Sequence, residues 1–346
     1  MENSSSILHS KNAISLKPLW FVMIGLVIIE SLLAFLPEGI MTQTLRFRMH
    51  EIVSLPAPRV QIMGDSVCAA IRAANVAEAA GLPEGSISNY ALPGTSPLFT
   101  WFTLRRELAA GRSPKFIVYA PHPATLRSPL VERFFGRFAT AGEAAELVPQ
   151  LPLSDTLFGA ACRLSYTLRY REELQTVVTQ TNLAFFHTMK GPVVSVQASQ
   201  VKLAETQIPD PNATLFNKGS LPPRLTAPFS VAPLNLKYID KFCDLAAEHN
   251  IRIAWVSMPT IAALKQGGAG DTSDGRYFAL LDGIAARHPN VTVLHRDIDV
   301  LPDSYFADQW HLNRYGAMVF SRQLGTWLAP WLEANGLNPS FREGRR

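Results

Sequence analysis

Two short segments, more than two hundred residues apart, carry the side-chain types that nucleophilic acyl transfer needs. Gly64-Asp65-Ser66 directly follows the apolar run Val60-Gln61-Ile62-Met63. Asp308-Gln309-Trp310-His311 stands just ahead of a helical stretch. A serine hydroxyl is a weak nucleophile until a base within hydrogen-bond reach takes its proton, and a carboxylate that orients the base completes the device. Ser66 is thus the candidate nucleophile, His311 the candidate general base and Asp308 its orienting partner. Taken alone, Gly-Asp-Ser reads equally as a turn with a helix N-cap, and Asp-x-x-His as a capping aspartate beside a surface histidine. The apolar neighbours Phe306, Trp310 and Leu312 argue for a partly buried segment instead.

The elements that must position these groups follow an α/β rhythm. Residues 59–63 read as a first strand and 66–80, rich in alanine, as a helix. Residues 86–91 form a second strand, closed by Pro93-Gly94-Thr95; a helix over 97–110 and a strand over 115–119 follow. The rhythm breaks across about 124–233, which holds helical pieces at 141–148 and 157–178 and ends in a proline-rich stretch. That is too long for an ordinary connection and reads as an insertion. A helix over 235–249, a strand over 251–258, a glycine-rich loop at 265–275, a helix to 288, a strand over 291–294 and a helix over 317–327 complete the pattern. Alternating strands and helices predict a three-layer α/β/α domain with a central parallel sheet, and such sheets gather functional groups at the carboxyl ends of their strands. Ser66 falls at that edge. On a strand-to-helix turn its amide is also a candidate oxyanion donor, helped by the helix N-terminus.

The N-terminus carries a separate signal. Pro18 to Pro37 is almost wholly apolar and long enough to cross a bilayer core of about 30 Å as a helix. No small-residue cleavage site follows it, so the reading is an uncleaved signal anchor. Lys11 and Lys17 precede the run and Arg46 and Arg48 follow it, so charge hardly sets the orientation. The commoner arrangement puts residues 1–17 in the cytoplasm and the large C-terminal part outside, in a bacterial inner membrane. Residues 38–58 are then a connecting segment, 59–335 the domain with its insertion, and 336–346 a tail. Glu30 interrupts the span and reads either as a snorkelling carboxyl or as a contact to a membrane partner. A cleaved N-terminus would instead make this a soluble lipase-like enzyme.

Composition closes off other classes. The net charge of +4 over 346 residues comes from dispersed Lys and Arg, which gives no nucleic-acid footprint. The three cysteines have no metal-ligand spacing and form no disulfide framework. Neither a metal nor an organic cofactor is implied.

These residues resemble the SGNH (GDSL-type) hydrolases. Gly64-Asp65-Ser66 matches that superfamily's first block, and Asp308 and His311 match its last, with His311-Leu312-Asn313-Arg314-Tyr315-Gly316 also in keeping. Gly94, after the second strand, fits the glycine whose amide serves the oxyanion hole. The resemblance implies Ser66, His311 and Asp308 as the catalytic set, with Asp65 behind them, and it covers roughly residues 59–330. One block departs: where the family places Gly-x-Asn-Asp, this chain has Ala120-Pro121-His122-Pro123. The third oxyanion donor is then either His122 or missing. Anchor, outer domain and altered block together resemble the DltD-like and alginate-acetylation (AlgX/AlgJ-like) subset. That implies an acyl-ester or glycan substrate and a polytopic membrane acyltransferase as partner. A non-catalytic member that binds polysaccharide or scaffolds an acylation complex is the alternative expectation.

Overall fold

The computed structural model describes residues 17–33, 40–172, 174–175, 210, 215, 228–265 and 273–337. Helix α1 spans Lys17–Leu33 and α2 Ile40–Ser54; then come β1 (Val60–Met63), α3 (Ala73–Ala79), β2 (Ile87–Asn89), α4 (Pro97–Ala109) and β3 (Phe116–Tyr119). The insertion contributes α5 (Ala141–Leu147), α6 (Leu153–Leu164) and α7 (Tyr166–Arg169). After it follow α8 (Pro233–Glu248), β4 (Arg252–Trp255), α9 (Ser273–Arg287), β5 (Val291–Val293) and α10 (Arg314–Ala334). The chain is an α/β protein around one five-stranded sheet of order β2-β1-β3-β4-β5, with every pairing parallel.

Alternation along the strands sends side chains to two cores, as the period of two requires. Ile117, Tyr119, Ile253 and Trp255 join one cluster with residues of α4, α8 and α9. Val60, Ile62, Phe116, Val118 and Ala254 join the other with residues of α3 and α10. Helices therefore cover both faces, which explains why these strands read as continuous apolar runs. The connecting segment is also part of the domain: Leu45, Met49 and Ile52 of α2 lie in the first cluster, and Arg112 donates to the Glu51 carbonyl (3.0 Å).

Three expected elements differ. The helix expected over 66–80 is split into a 3₁₀ turn at Cys68–Ala70 and α3, with Ile71 and Arg72 extended. Tertiary partners cause the break: Asn89 Nδ2 donates to the Cys68 and Ile71 carbonyls (3.0 and 2.7 Å), and the Arg72 N–H donates to Ser321 Oγ (2.8 Å). The helix expected over 157–178 is α6 and α7, broken at Ser165, whose hydroxyl caps α7 by accepting from the Leu168 N–H (3.1 Å). The last helix runs 21 residues and passes through Pro330 instead of ending at 327, because Leu328, Trp331 and Leu332 are all buried on one face.

Among the described residues no helix is long and apolar enough to cross a membrane. Helix α1 is described over 17 residues. Residues 1–16 of the expected 1–17 tail, the end of the anchor at 34–37, the start of the connecting segment, much of the insertion beyond 175, most of the glycine-rich loop and residues 338–346 of the expected 336–346 tail lie outside the described residues.

Candidate active site

In a sheet of this order the sequence of strands switches from one side of β1 to the other between β1 and β3, and the crevice outside their carboxyl ends is where such sheets bind ligands. Gly64-Asp65-Ser66 leaves β1 into that crevice, and Ala120-Pro121-His122-Pro123 leaves β3 into it. Gly64 is glycine for want of room: a Cβ there would sit 2.7 Å from Cys68 Cβ and 2.9 Å from the Ala120 carbonyl oxygen. The two loops therefore touch at their roots.

Residues 306–312 bring the other half. Phe306 and Leu312 pair as an antiparallel bridge, and the Ala307 N–H donates to the His311 carbonyl (2.7 Å), closing a small loop around Asp308 and Trp310. Asn313 then caps α10 by accepting from the Tyr315 and Gly316 N–H groups (both 3.0 Å). A Cβ on Gly316 would lie 2.2 Å from the Tyr305 carbonyl oxygen, so this helix can approach the loop only with glycine there.

Ser66, His311 and Asp308 come together as expected. His311 Nε2 lies 3.0 Å from Ser66 Oγ, and His311 Nδ1 lies 2.8 Å from Asp308 Oδ2. Asp308 Oδ1 also accepts from the His311 and Trp310 N–H groups (2.8 and 3.0 Å). Burial pushes the Asp308 carboxyl up, but the His311 side chain and these two backbone donors outweigh it and hold it below the usual carboxylate range. An ionised Asp308 on Nδ1 keeps the proton there and leaves Nε2 facing the hydroxyl as an acceptor.

Asp65 is buried and joins the two loops. Its Oδ1 accepts from the Val67 N–H (2.9 Å); its Oδ2 accepts from the His122 N–H and from Thr125 Oγ1 (both 2.8 Å). Nothing in the sequence flagged Thr125, because its partner is 60 residues away. Gly94 follows β2 on a turn with φ +64°, a left-handed conformation that favours glycine. The Leu92 N–H donates to the Gly64 carbonyl (3.0 Å), which holds that turn beside the β1 loop. Among the described hydrogen bonds neither the Ser66 nor the Gly94 N–H is used, so both remain available as donors.

His122 is buried, and its ring meets the Trp310 ring edge to face at 5.8 Å; Trp310 in turn touches the His311 ring. The Ala124 N–H donates to His122 Nδ1 (3.2 Å), which places the neutral ring's proton on Nε2. Burial lowers its pKa to about 4, against a raising influence from Asp65 and with further lowering from His311 and Arg127. His122 is therefore a neutral histidine with a fixed Nε2–H donor at neutral pH. Beyond it a cavity opens, lined by Phe229, Met258, Thr260 and Tyr277. One expectation needs correction: Ser66 does not begin an α-helix, since only one 3₁₀ turn follows it. The helix dipole contributes little there, and the backbone amides carry the electrostatics. Among the described residues no His, Cys, Asp or Glu cluster has the makings of a metal site.

Fold and site together define an α/β protein that holds a Ser–His–Asp constellation at the carboxyl edge of a parallel sheet. No protein-family model matches this chain, and a search of curated proteins finds no match.

Proposed function

We propose that the chain is a membrane-anchored serine esterase or O-acyltransferase of the SGNH type, with its site on the extracytoplasmic side. The observation that carries this reading is the unbroken relay from Ser66 Oγ through His311 to Asp308, at 3.0 and 2.8 Å. Ser66 Oγ attacks the acyl carbonyl while His311 Nε2 takes its proton. The carbonyl oxygen becomes an oxyanion facing the Ser66 and Gly94 amides. His311 returns the proton to the departing alcohol, leaving an acyl-Ser66 ester. In the second half His311 deprotonates the incoming water or sugar hydroxyl, which displaces Ser66 and restores the hydroxyl. The histidinium that forms midway is stabilised by ionised Asp308.

His122 fills the role left open by the missing asparagine. Its Nε2–H is a neutral donor on the loop after β3, which is where the family pattern supplies its third oxyanion contact. Removing such a donor costs about 10²–10³ in rate. An acyl ester of a cell-envelope polymer or exopolysaccharide is the substrate class that the resemblance and the anchor favour, with a polytopic membrane acyltransferase as the acyl source. The test is labelling of the full chain by a fluorophosphonate. Labelling lost in Ser66→Ala supports acyl chemistry. No labelling, under conditions that modify a control serine esterase, overturns it in favour of a polysaccharide-binding or scaffolding protein.

A further inference from the structure

The N-terminal helix and the insertion meet through one carboxylate, and that contact fixes a depth. Glu30 Oε1 accepts from Ser165 Oγ (2.8 Å), and Oε2 accepts from the Tyr166 and Thr167 N–H groups (2.7 and 3.3 Å). Glu30 lies inside the apolar run Pro18–Pro37, one turn before Leu33 at the end of α1, so an anchor built from that run sets its carboxylate within the bilayer and not in the water above it. Whatever hydrogen-bonds to Glu30 must reach that depth. The sequence offered a snorkelling carboxyl or a foreign partner for Glu30; its partner is this chain's own insertion.

The insertion is built for such a place. Leu153, Leu157 and Leu164 are 73%, 61% and 86% exposed, and their spacing on α6 sets them in one stripe. Leu164 immediately precedes Ser165, so the stripe runs into the Glu30 contact. Helix α1 is itself apolar and exposed at Val27, Ile28 and Leu32. The cations of this hairpin turn inward: Arg163 donates to the Phe135 and Ala139 carbonyls (3.3 and 2.8 Å), and Arg169 Nε to the Cys162 carbonyl (3.3 Å). A hairpin that turns its arginines onto backbone carbonyls and its leucines outward presents a face that suits hydrocarbon better than water.

We propose that α6 and α7 dip into the acyl region of the outer leaflet, with Glu30 tying them to the anchor. This rests on the anchored reading given above. Lipid is favoured over a second protein because the Glu30 contact puts the stripe at bilayer depth with no partner needed. The protein then has two membrane contacts, one spanning and one inserted from outside. The catalytic edge is held at a fixed attitude to the membrane.

The experiment uses the full chain reconstituted in phosphatidylethanolamine/phosphatidylglycerol liposomes. Leu153→Cys, Leu157→Cys and Leu164→Cys are each labelled with an environment-sensitive fluorophore, with Asp155→Cys on another face of the same helix as control. The native cysteines are buried and should stay unlabelled. The expected result is blue-shifted emission at the three leucine positions, quenched by lipids spin-labelled at shallow acyl positions, with neither effect at Asp155. Glu30→Gln should reduce the quenching at Leu157→Cys while the protein stays resistant to carbonate extraction. Water-like emission from extraction-resistant protein overturns the proposal and leaves the anchor standing. A blue shift without lipid quenching also overturns it, pointing to a protein cover. Release by carbonate defeats the anchor, and the proposal with it.

Discussion

The loops after β1 and β3 occupy equivalent places at the carboxyl edge of the sheet, yet they carry information differently. The β1 loop carries Gly64-Asp65-Ser66, and on the proposed reading its chemistry is set by residue identity: only a hydroxyl at Ser66 can be the nucleophile. The β3 loop holds His122, where the SGNH pattern it resembles has an asparagine, and the usefulness of His122 depends on geometry, a ring turned by the Ala124 N–H so that Nε2 bears the proton. A nucleophile has few substitutes; a neutral hydrogen-bond donor has several. Asp65 binds both loops, so the comparison also concerns how independent they are.

The largest effect expected is at the β1 loop. Ser66→Ala, or His311→Ala, should lower kcat for an aryl acetate ester by about 10⁶-fold, because members of such a triad act as a unit. Asp308→Asn should cost about 10⁴-fold by reversing the His311 tautomer, with the fold unchanged by circular dichroism. A loss below tenfold in either would mean that the relay is structural.

At the β3 loop the expected loss is smaller and can be rescued. His122→Ala should lower kcat by about 10²–10³-fold with little change in KM, whereas His122→Asn should recover much of it by returning an amide donor. Equal losses in the two variants would deny the loop a donor role. Asp65→Ala tests the coupling: it should destabilise the fold by about 1–3 kcal/mol through buried donors left unpaired. Combined with His122→Ala, its effect on kcat should be less than additive.

The smallest effect lies away from both loops. Glu107, on α4, is buried against Gln61 of β1 (3.0 Å); burial raises its pKa to about 7, opposed by the Gln61 bond and by Arg112. The folded state holds this proton more tightly than the unfolded chain. The resulting stability is therefore complete below the unfolded value near 4.5 and is lost as pH rises through about 7. Thermal unfolding of wild type against Glu107→Gln across pH 5–8 should show the fall only in wild type, while the rate at Ser66 is unaffected.

Much of the molecule was legible where local pattern decides it. Strands buried on both faces gave apolar runs, and Ser66, Asp308 and His311 sit in short motifs whose neighbours fix their conformation. Features made by distant partners were hidden. The break at Arg72 is set by Ser321, 249 residues on, and the break at Ser165 is tied to Glu30, 135 residues back. The role of Asp65 needed Thr125, and no periodicity reports such a pair. The end of the last helix was hidden for the same reason, since burial of Leu328, Trp331 and Leu332 carries it past 327.

Helix α2 carries one more consequence. Its Leu45, Met49 and Ile52 are locked into the domain core, so only residues 34–39 separate α1 from an element of the α/β domain. From Leu33 to Ile40 the chain can extend at most about 25 Å. With α1 in the bilayer as proposed, Ser66 works on a short leash. It cannot sweep through the envelope for distant polymer, and each acceptor must instead be carried to a shallow zone just above the lipid.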